Sequence, residues 1–212
     1  MRLFKVLALG LTGCVTAWAG GTSEPPAVAA VPVVTDAAEE VSALMVGGRG
    51  ALGEGRWREA VALFERIRVL EPLNNEAVFG LSVAYIELKR FADALPLLES
   101  LVKAVPDSPM VKNNLAWTLL HVKDASGVNT ARAVKLSRAA VLDVPSDYSV
   151  WNTLGEAYYA SGRYDKALNA AESGLRLSRL AGITNSPCRE LIVRCRKAAG
   201  NAGLDEQNGE TP

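Results

Sequence analysis

The chain is poor in the residues that most site chemistry requires. Of 212 residues only one is histidine and three are cysteine, and aromatic side chains make up 6%. The lone histidine, His121, has no Cys, Asp or Glu at metal-ligand spacing around it, so no metal site is expected. No Ser/His/Asp or Cys/His set with supporting spacing can be assembled on it, which points away from an enzyme, and no cofactor is implied. Charge of one sign is also missing. Lys and Arg number 23 against 23 Asp and Glu, which leaves no basic field for nucleic acid. The one extended apolar run, Val6 to about Ala19, falls short of the roughly 20 residues that span a bilayer. Cys188 and Cys195 lie seven residues apart on one expected helix. Their Cα atoms would be roughly 10.5 Å apart, beyond disulfide reach, so they read as buried small hydrophobes.

What is present begins with segments of distinct composition. Arg2 and Lys5 precede the apolar run, which suits an export signal over residues 1–19. Within it Leu11-Thr12-Gly13-Cys14 resembles a bacterial lipobox, which implies cleavage before Cys14 and lipidation of that cysteine. Ala17-Trp18-Ala19 resembles an ordinary signal-peptidase site that would leave Gly20 first. The ordered lipobox residues favour the first reading, the short stretch between Lys5 and Cys14 favours the second, and both stand. Either way the chain is expected to be exported, to a bacterial periplasm and, if lipidated, to its membrane surface. Residues 20–35 are Gly, Thr, Ser, Pro, Ala and Val with no helical or strand period, and read as a flexible linker. Asp36 with Glu39 forms a candidate capping box that would open the first helix of a domain over 36–200. At the other end residues 201–212 are polar, carry Asp205, Glu206 and Glu210, and are expected to be disordered.

Between these segments the chain repeats itself. Trp151, Leu154, Gly155 and Tyr158 form the block W-x2-L-G-x2-Y at positions 4, 7, 8 and 11 of a 34-residue unit, 148–181. Units 41–74 and 75–108 have the same length, and unit 109–147 has 39 residues, with five extra between Val122 and Thr130. All four abut without gaps. Positions 4, 7, 8 and 11 share one helix face, and positions 20, 24 and 27 share a face of a second helix. Small residues recur at position 8 (Gly48, Ser82, Ala116, Gly155) and position 20 (Ala60, Ala94, Ala133, Ala167), where two helices can approach closely. Pro72, Pro106 and Pro145 close the second helices, since proline has no amide donor and disfavours helix before it. Ser108-Pro109 and Ser186-Pro187 read as an N-cap followed by proline in the first turn. One more helix is expected over 186–199, capping the array.

This phase and these residues resemble the tetratricopeptide repeat family, over 41–181. The resemblance implies an all-α fold: a right-handed α-solenoid of four helix-turn-helix repeats plus a C-terminal capping helix. It implies a non-enzymatic scaffold that binds a segment of a protein partner in a concave groove lined by the first helices. Mapped by position, the partner-binding candidates are Met45, Arg49, Phe79, Val83, Asn113, Asn114, Trp117, Asn152, Glu156 and Tyr159. Some family members hold a terminal carboxylate with paired asparagines at position 6. Here position 6 is Val46, Gly80, Asn114 and Thr153, so capture of that kind is not expected.

Two features stand outside the pattern. Gly47, Gly48, Gly50, Gly53 and Gly55 crowd the first helix and its turn, and each mid-helix glycine costs about 1 kcal/mol relative to alanine. That helix is expected to be the most labile ordered element. Arg176, Arg179, Arg189, Arg194, Arg196 and Lys197 outweigh Glu190 over 176–197. The span reads as the solvated outer face of the capping helix, with a docking patch for an acidic partner or an anionic headgroup as the other reading. Self-association through array ends or through this helix is the alternative to the scaffold function.

Overall fold

The computed structural model describes residues 34–122 and 127–208. Its elements pair as hairpins: α1 (Val34–Gly53) with α2 (Trp57–Leu70), α3 (Asn75–Glu87) with α4 (Phe91–Ala104), α5 (Pro109–His121) with α6 (Gly127–Asp143), and α7 (Tyr148–Ala160) with α8 (Tyr164–Leu180). A last helix, α9 (Cys188–Asn208), packs on α8. Among the described residues there is no strand, and the fold is an all-α repeat solenoid.

Local chemistry sets the helix boundaries. Asn74, Ser108 and Asp147 cap α3, α5 and α7, their side-chain oxygens accepting the amides of Ala77 at 2.9 Å, Val111 at 3.4 Å and Ser149 at 2.8 Å. Every first helix ends at position 13 (Gly53, Glu87, His121, Ala160), and every regular turn to the second helix takes three residues. Position 15 of that turn is left-handed, with φ 72° at Gly55 and 74° at Gly162, which glycine adopts without steric cost. In the second unit Lys89 takes the same conformation at φ 58°.

Packing follows the repeat. Ala60, Ala94, Ala133 and Ala167 at position 20 are completely buried, as the close approach of paired helices requires. The junction of units one and two is built on Phe64, whose buried ring lies against Gly48 of α1 and Gly80 of α3. A Cβ at Gly80 would lie 2.4 Å from the ring, so the side chain is wedged into a hole that glycine leaves open. At the far junction the sizes are reversed. Ala171 occupies the position of Phe64, and Leu191 of α9 fills the space against it. Surface pairs run between helices as well: Arg66–Glu40 at 2.9 Å, Arg132–Glu99 at 2.5 Å and Lys112–Asp143 at 2.7 Å.

The boundaries differ from the sequence expectation in three places. Helix α1 opens at Val34, so Asp36 lies inside it rather than ahead of its first turn; the linker's last two residues join the helix, while 1–33, including Cys14, lie outside the described residues. Helix α9 runs to Asn208 instead of stopping near Ala199, because no proline interrupts Asn201–Asn208 and Leu204, Glu206 and Gln207 favour helix. The five-residue insertion of the third unit is shared out: five residues separate α5 from α6, two more than the regular three, and α6 starts three residues early.

Candidate functional site

Curvature selects the face on which a partner segment fits. Successive first helices touch one another (α1 with α3, α3 with α5, α5 with α7, α7 with α9), whereas successive second helices do not. The stack therefore closes on the first-helix side, which is concave, and positions 5 and 9 of α1, α3, α5 and α7 point along it.

These two positions have different fates. At position 5, Met45, Asn113 and Asn152 are buried and Phe79 is half-buried against the core. Position 5 falls where one first helix meets its neighbours, so Met45, Asn113 and Asn152 are consumed by packing and Phe79 alone keeps part of its surface. Asn152 accepts a hydrogen bond from the Cys188 thiol at 3.6 Å, and the buried Asn113 side-chain oxygen has no partner among the described residues. Burial pushes the thiols of Cys188 and Cys195 up, which keeps them protonated and inert in this interface.

Position 9 stays accessible. Arg49 is exposed and pairs with Glu76 of α3 at 2.5 Å; Val83 and Trp117 are half-buried, as is Asn114 at position 6. Trp117 is held in place: the His121 ring lies 4.1 Å from it, centroid to centroid, and Phe91 lies 5.0 Å from His121. His121 Nδ1 also lies 2.8 Å from the Trp117 carbonyl oxygen. His121 thus acts as a prop for the Trp117 ring, a role its spacing from Cys, Asp and Glu does not announce. The signal was there, since His121 lies four residues after Trp117 and so on the same helix face.

In the fourth unit the face is occupied. Arg194 of α9 donates to the Glu156 carboxylate and lies 4.8 Å from the centre of the Tyr159 ring, which also meets Tyr164 at 5.4 Å. Glu156 and Tyr159, both half-buried, are thus engaged by α9. The accessible set is Arg49, Phe79, Val83, Asn114 and Trp117, spread over units one to three. Trp151, the residue that sets the repeat phase, is half-buried against the core, and its indole N–H donates to the Pro145 carbonyl at 2.8 Å.

Chemically this face offers apolar contact beside amide and guanidinium donors. Among the described residues no group of three or more His, Cys, Asp and Glu side chains is placed to hold a metal ion, and no helix is long and apolar enough to cross a membrane.

Known proteins repeat the architecture. Tetratricopeptide repeat models match residues 46–109 and 148–180, leaving unmatched most of the unit with the insertion. A search of curated protein sequences gives no match. Among solved structures, a thermophilic TPR protein of Thermus thermophilus superposes with a TM-score of 0.63 at 19% identity, covering 76% of this chain and 83% of that one. A mutant MamA gives 0.59 at 21% identity, over 78% of this chain and 89% of that one. MamA from Desulfovibrio magneticus gives 0.56 at 16%, over 82% and 98%. At these identities the likeness is one of fold. Phase, hairpin geometry and family models agree: this is a tetratricopeptide repeat protein over residues 46–109 and 148–180, and such arrays are typically non-catalytic scaffolds for protein–protein interaction.

Proposed function

We propose that this protein is an adaptor of a bacterial envelope assembly that holds an extended segment of a partner protein on its concave face, over units one to three. The observation that carries this reading is Trp117: a half-buried aromatic ring propped by His121, itself stacked on Phe91, with Asn114 three residues earlier on α5 and Val83 and Phe79 on the preceding first helix. An aromatic side chain fixed before binding loses little entropy when it becomes an anchor, and a neighbouring amide can hydrogen-bond an extended backbone. The export signal expected over residues 1–19 supports the envelope location, with Cys14 as the candidate lipid anchor.

The test is crosslinking in intact envelopes followed by mass spectrometry, run on the wild type, Trp117→Ala and Cys14→Ser. Truncating a hot-spot aromatic costs roughly 2 kcal/mol of binding, about thirty-fold in affinity. Trp117→Ala should lose a specific crosslinked protein while melting near the wild-type temperature. Undiminished crosslinking, or loss of partner and fold together, refutes the groove. Cys14→Ser should move the protein from the membrane to the soluble fraction, and unchanged retention refutes the anchor.

A further inference from the structure

Helix α9 continues the repeat rather than merely covering its end. Counting Ser186 as position 1 places Cys188 at position 3, Leu191 at 6, Ile192 at 7 and Cys195 at 10. Positions 3, 7 and 10 of units two to four are Ala77, Leu81 and Ala84, then Val111, Leu115 and Thr118, then Val150, Leu154 and Ala157, and all are buried. Cys188, Ile192 and Cys195 are buried likewise. Position 6 supplies an independent match. Gly80 meets Phe64 of the preceding second helix, and Leu191 meets Ala171, its counterpart. So α9 sits in the slot of a fifth first helix.

A first helix presents positions 4, 8 and 11 to the second helix of its own hairpin. In α9 these are Arg189, Val193 and Arg196, and Val193 is 67% exposed. Every earlier first helix stops at position 13 and turns back, but α9 runs on past position 13, Ala198, to Asn208 and does not fill the slot itself. Between α8 and α9 lies a groove of about 720 Å³ with Leu175 and Ile192 in its apolar lining and Arg176, Arg179, Arg189 and Arg196 around it. Leu180 at its edge is 80% exposed. Only Arg196 is paired, with Glu172 at 3.3 Å; Arg176, Arg179 and Arg189 have no acidic partner among the described residues.

We propose that this groove is the docking site for an acidic amphipathic helix of a partner protein, which completes a fifth hairpin in trans. The shape argues for a helix, because every corresponding slot in the array receives one. The charge argues for an acidic one, because three unpaired guanidiniums flank an apolar strip and planar guanidinium forks match carboxylates. Position 8 is small in all four units, whereas Val193 is branched, so the incoming helix carries alanine or glycine opposite it and acidic residues on either side. This site lies at the array end and does not depend on the concave-face reading.

The test uses the purified protein and a fluorescein-labelled helical peptide with a Leu–Ala stripe flanked by glutamates, followed by fluorescence anisotropy. The counterpart peptide has lysine for every glutamate. The acidic peptide should bind, more weakly at high salt, and the lysine peptide should not. Arg176→Glu with Arg189→Glu should lower affinity about ten-fold or more. Val193→Asp, which leaves the arginines intact, should lower it as well, and Trp117→Ala should leave it unchanged. All three altered side chains of the slot are exposed, so the fold should persist, checked by an unshifted melting temperature. Equal binding of both peptides, no binding of either, or binding indifferent to the Arg and Val193 changes overturns the proposal. So does Arg-dependent binding to phosphatidylglycerol vesicles without peptide binding, which assigns the face to a membrane.

Discussion

Two glycine-to-alanine substitutions, identical in chemistry, should move stability in opposite directions. At Gly50, exposed in α1, an added methyl group meets nothing within 4 Å. Only helix propensity changes there, and Gly50→Ala should stabilise by about 1 kcal/mol. At Gly80 the new Cβ would lie 2.4, 2.6 and 2.8 Å from three carbons of the Phe64 ring. Carbon atoms in contact prefer about 3.5–4.0 Å, so the overlap exceeds an ångström. The ring is 1% exposed and cannot swing into solvent. Overpacking of this kind costs about 1–3 kcal/mol. The same propensity gain of about 1 kcal/mol offsets part of it, which leaves a net loss of up to roughly 2 kcal/mol. Urea denaturation followed by far-ultraviolet circular dichroism reads both variants through their midpoints at constant slope. Phe64→Leu placed in the Gly80→Ala background should recover part of the loss, because it returns the volume that the methyl group takes. A Gly80→Ala protein as stable as Gly50→Ala would refute the wedge, and with it the explanation of why this junction tolerates glycine inside a helix. Hydrogen exchange on the Gly50→Ala variant should also show α1 opening more slowly than in the wild type. That ties the lability of the first helix to its glycines rather than to its place at the array end.

Further outcomes follow from the turns and from the junction of units one and two. Lys89→Gly should stabilise by about 1 kcal/mol, since a side chain at φ 58° pays the left-handed steric cost that Gly55 and Gly162 avoid; an unchanged or lower melting temperature would count against it. Tyr85 donates its hydroxyl proton to Glu65 at 2.6 Å, and burial first, then this hydrogen bond, pushes its pKa up to about 12. The neutral phenol is favoured in the folded state, so its contribution is complete below the ordinary tyrosine value near 10 and is lost as pH rises from there to about 12. The wild type should therefore lose stability over that window faster than Tyr85→Phe, and parallel curves would refute the assignment.

The hairpins were legible in the sequence because each is specified locally. Ala60, Ala94, Ala133 and Ala167 recur in phase, Ser108 and Pro109 mark a helix start, and Trp151 anchors the register. What the sequence hid was set by neighbours. Position 5 and position 9 both lie toward the inner face, yet Met45, Asn113 and Asn152 disappear between adjacent first helices while Arg49 and Trp117 remain accessible. No pattern within one unit separates them, because the separation comes from the curvature of the stack. Glu156 and Tyr159 looked free for the same reason: Arg194 lies 38 and 35 residues away in the chain. Helix α9 escaped recognition as a repeat element because its positions 4, 7, 8 and 11 are Arg189, Ile192, Val193 and Arg196, unlike the Trp, Leu, Gly and Tyr of the unit before it. Four extra residues, 182–185, also break the 34-residue step. Only its burial pattern restores the phase.

The pairing of Phe64 with Gly80, and of Ala171 with Leu191, bears on how such an array can change over time. Solenoids are often regarded as strings of exchangeable modules, lengthened by duplication and shortened by deletion. Here the contact between neighbours is keyed by size, large against absent at one junction and small against large at the other. Moving α3 behind α8 would set Gly80 against Ala171 and open a void, while moving α9 behind α2 would drive Leu191 into Phe64. The order of the units is therefore written into their cores, and a recombined array would have to mutate at its seams before it could fold.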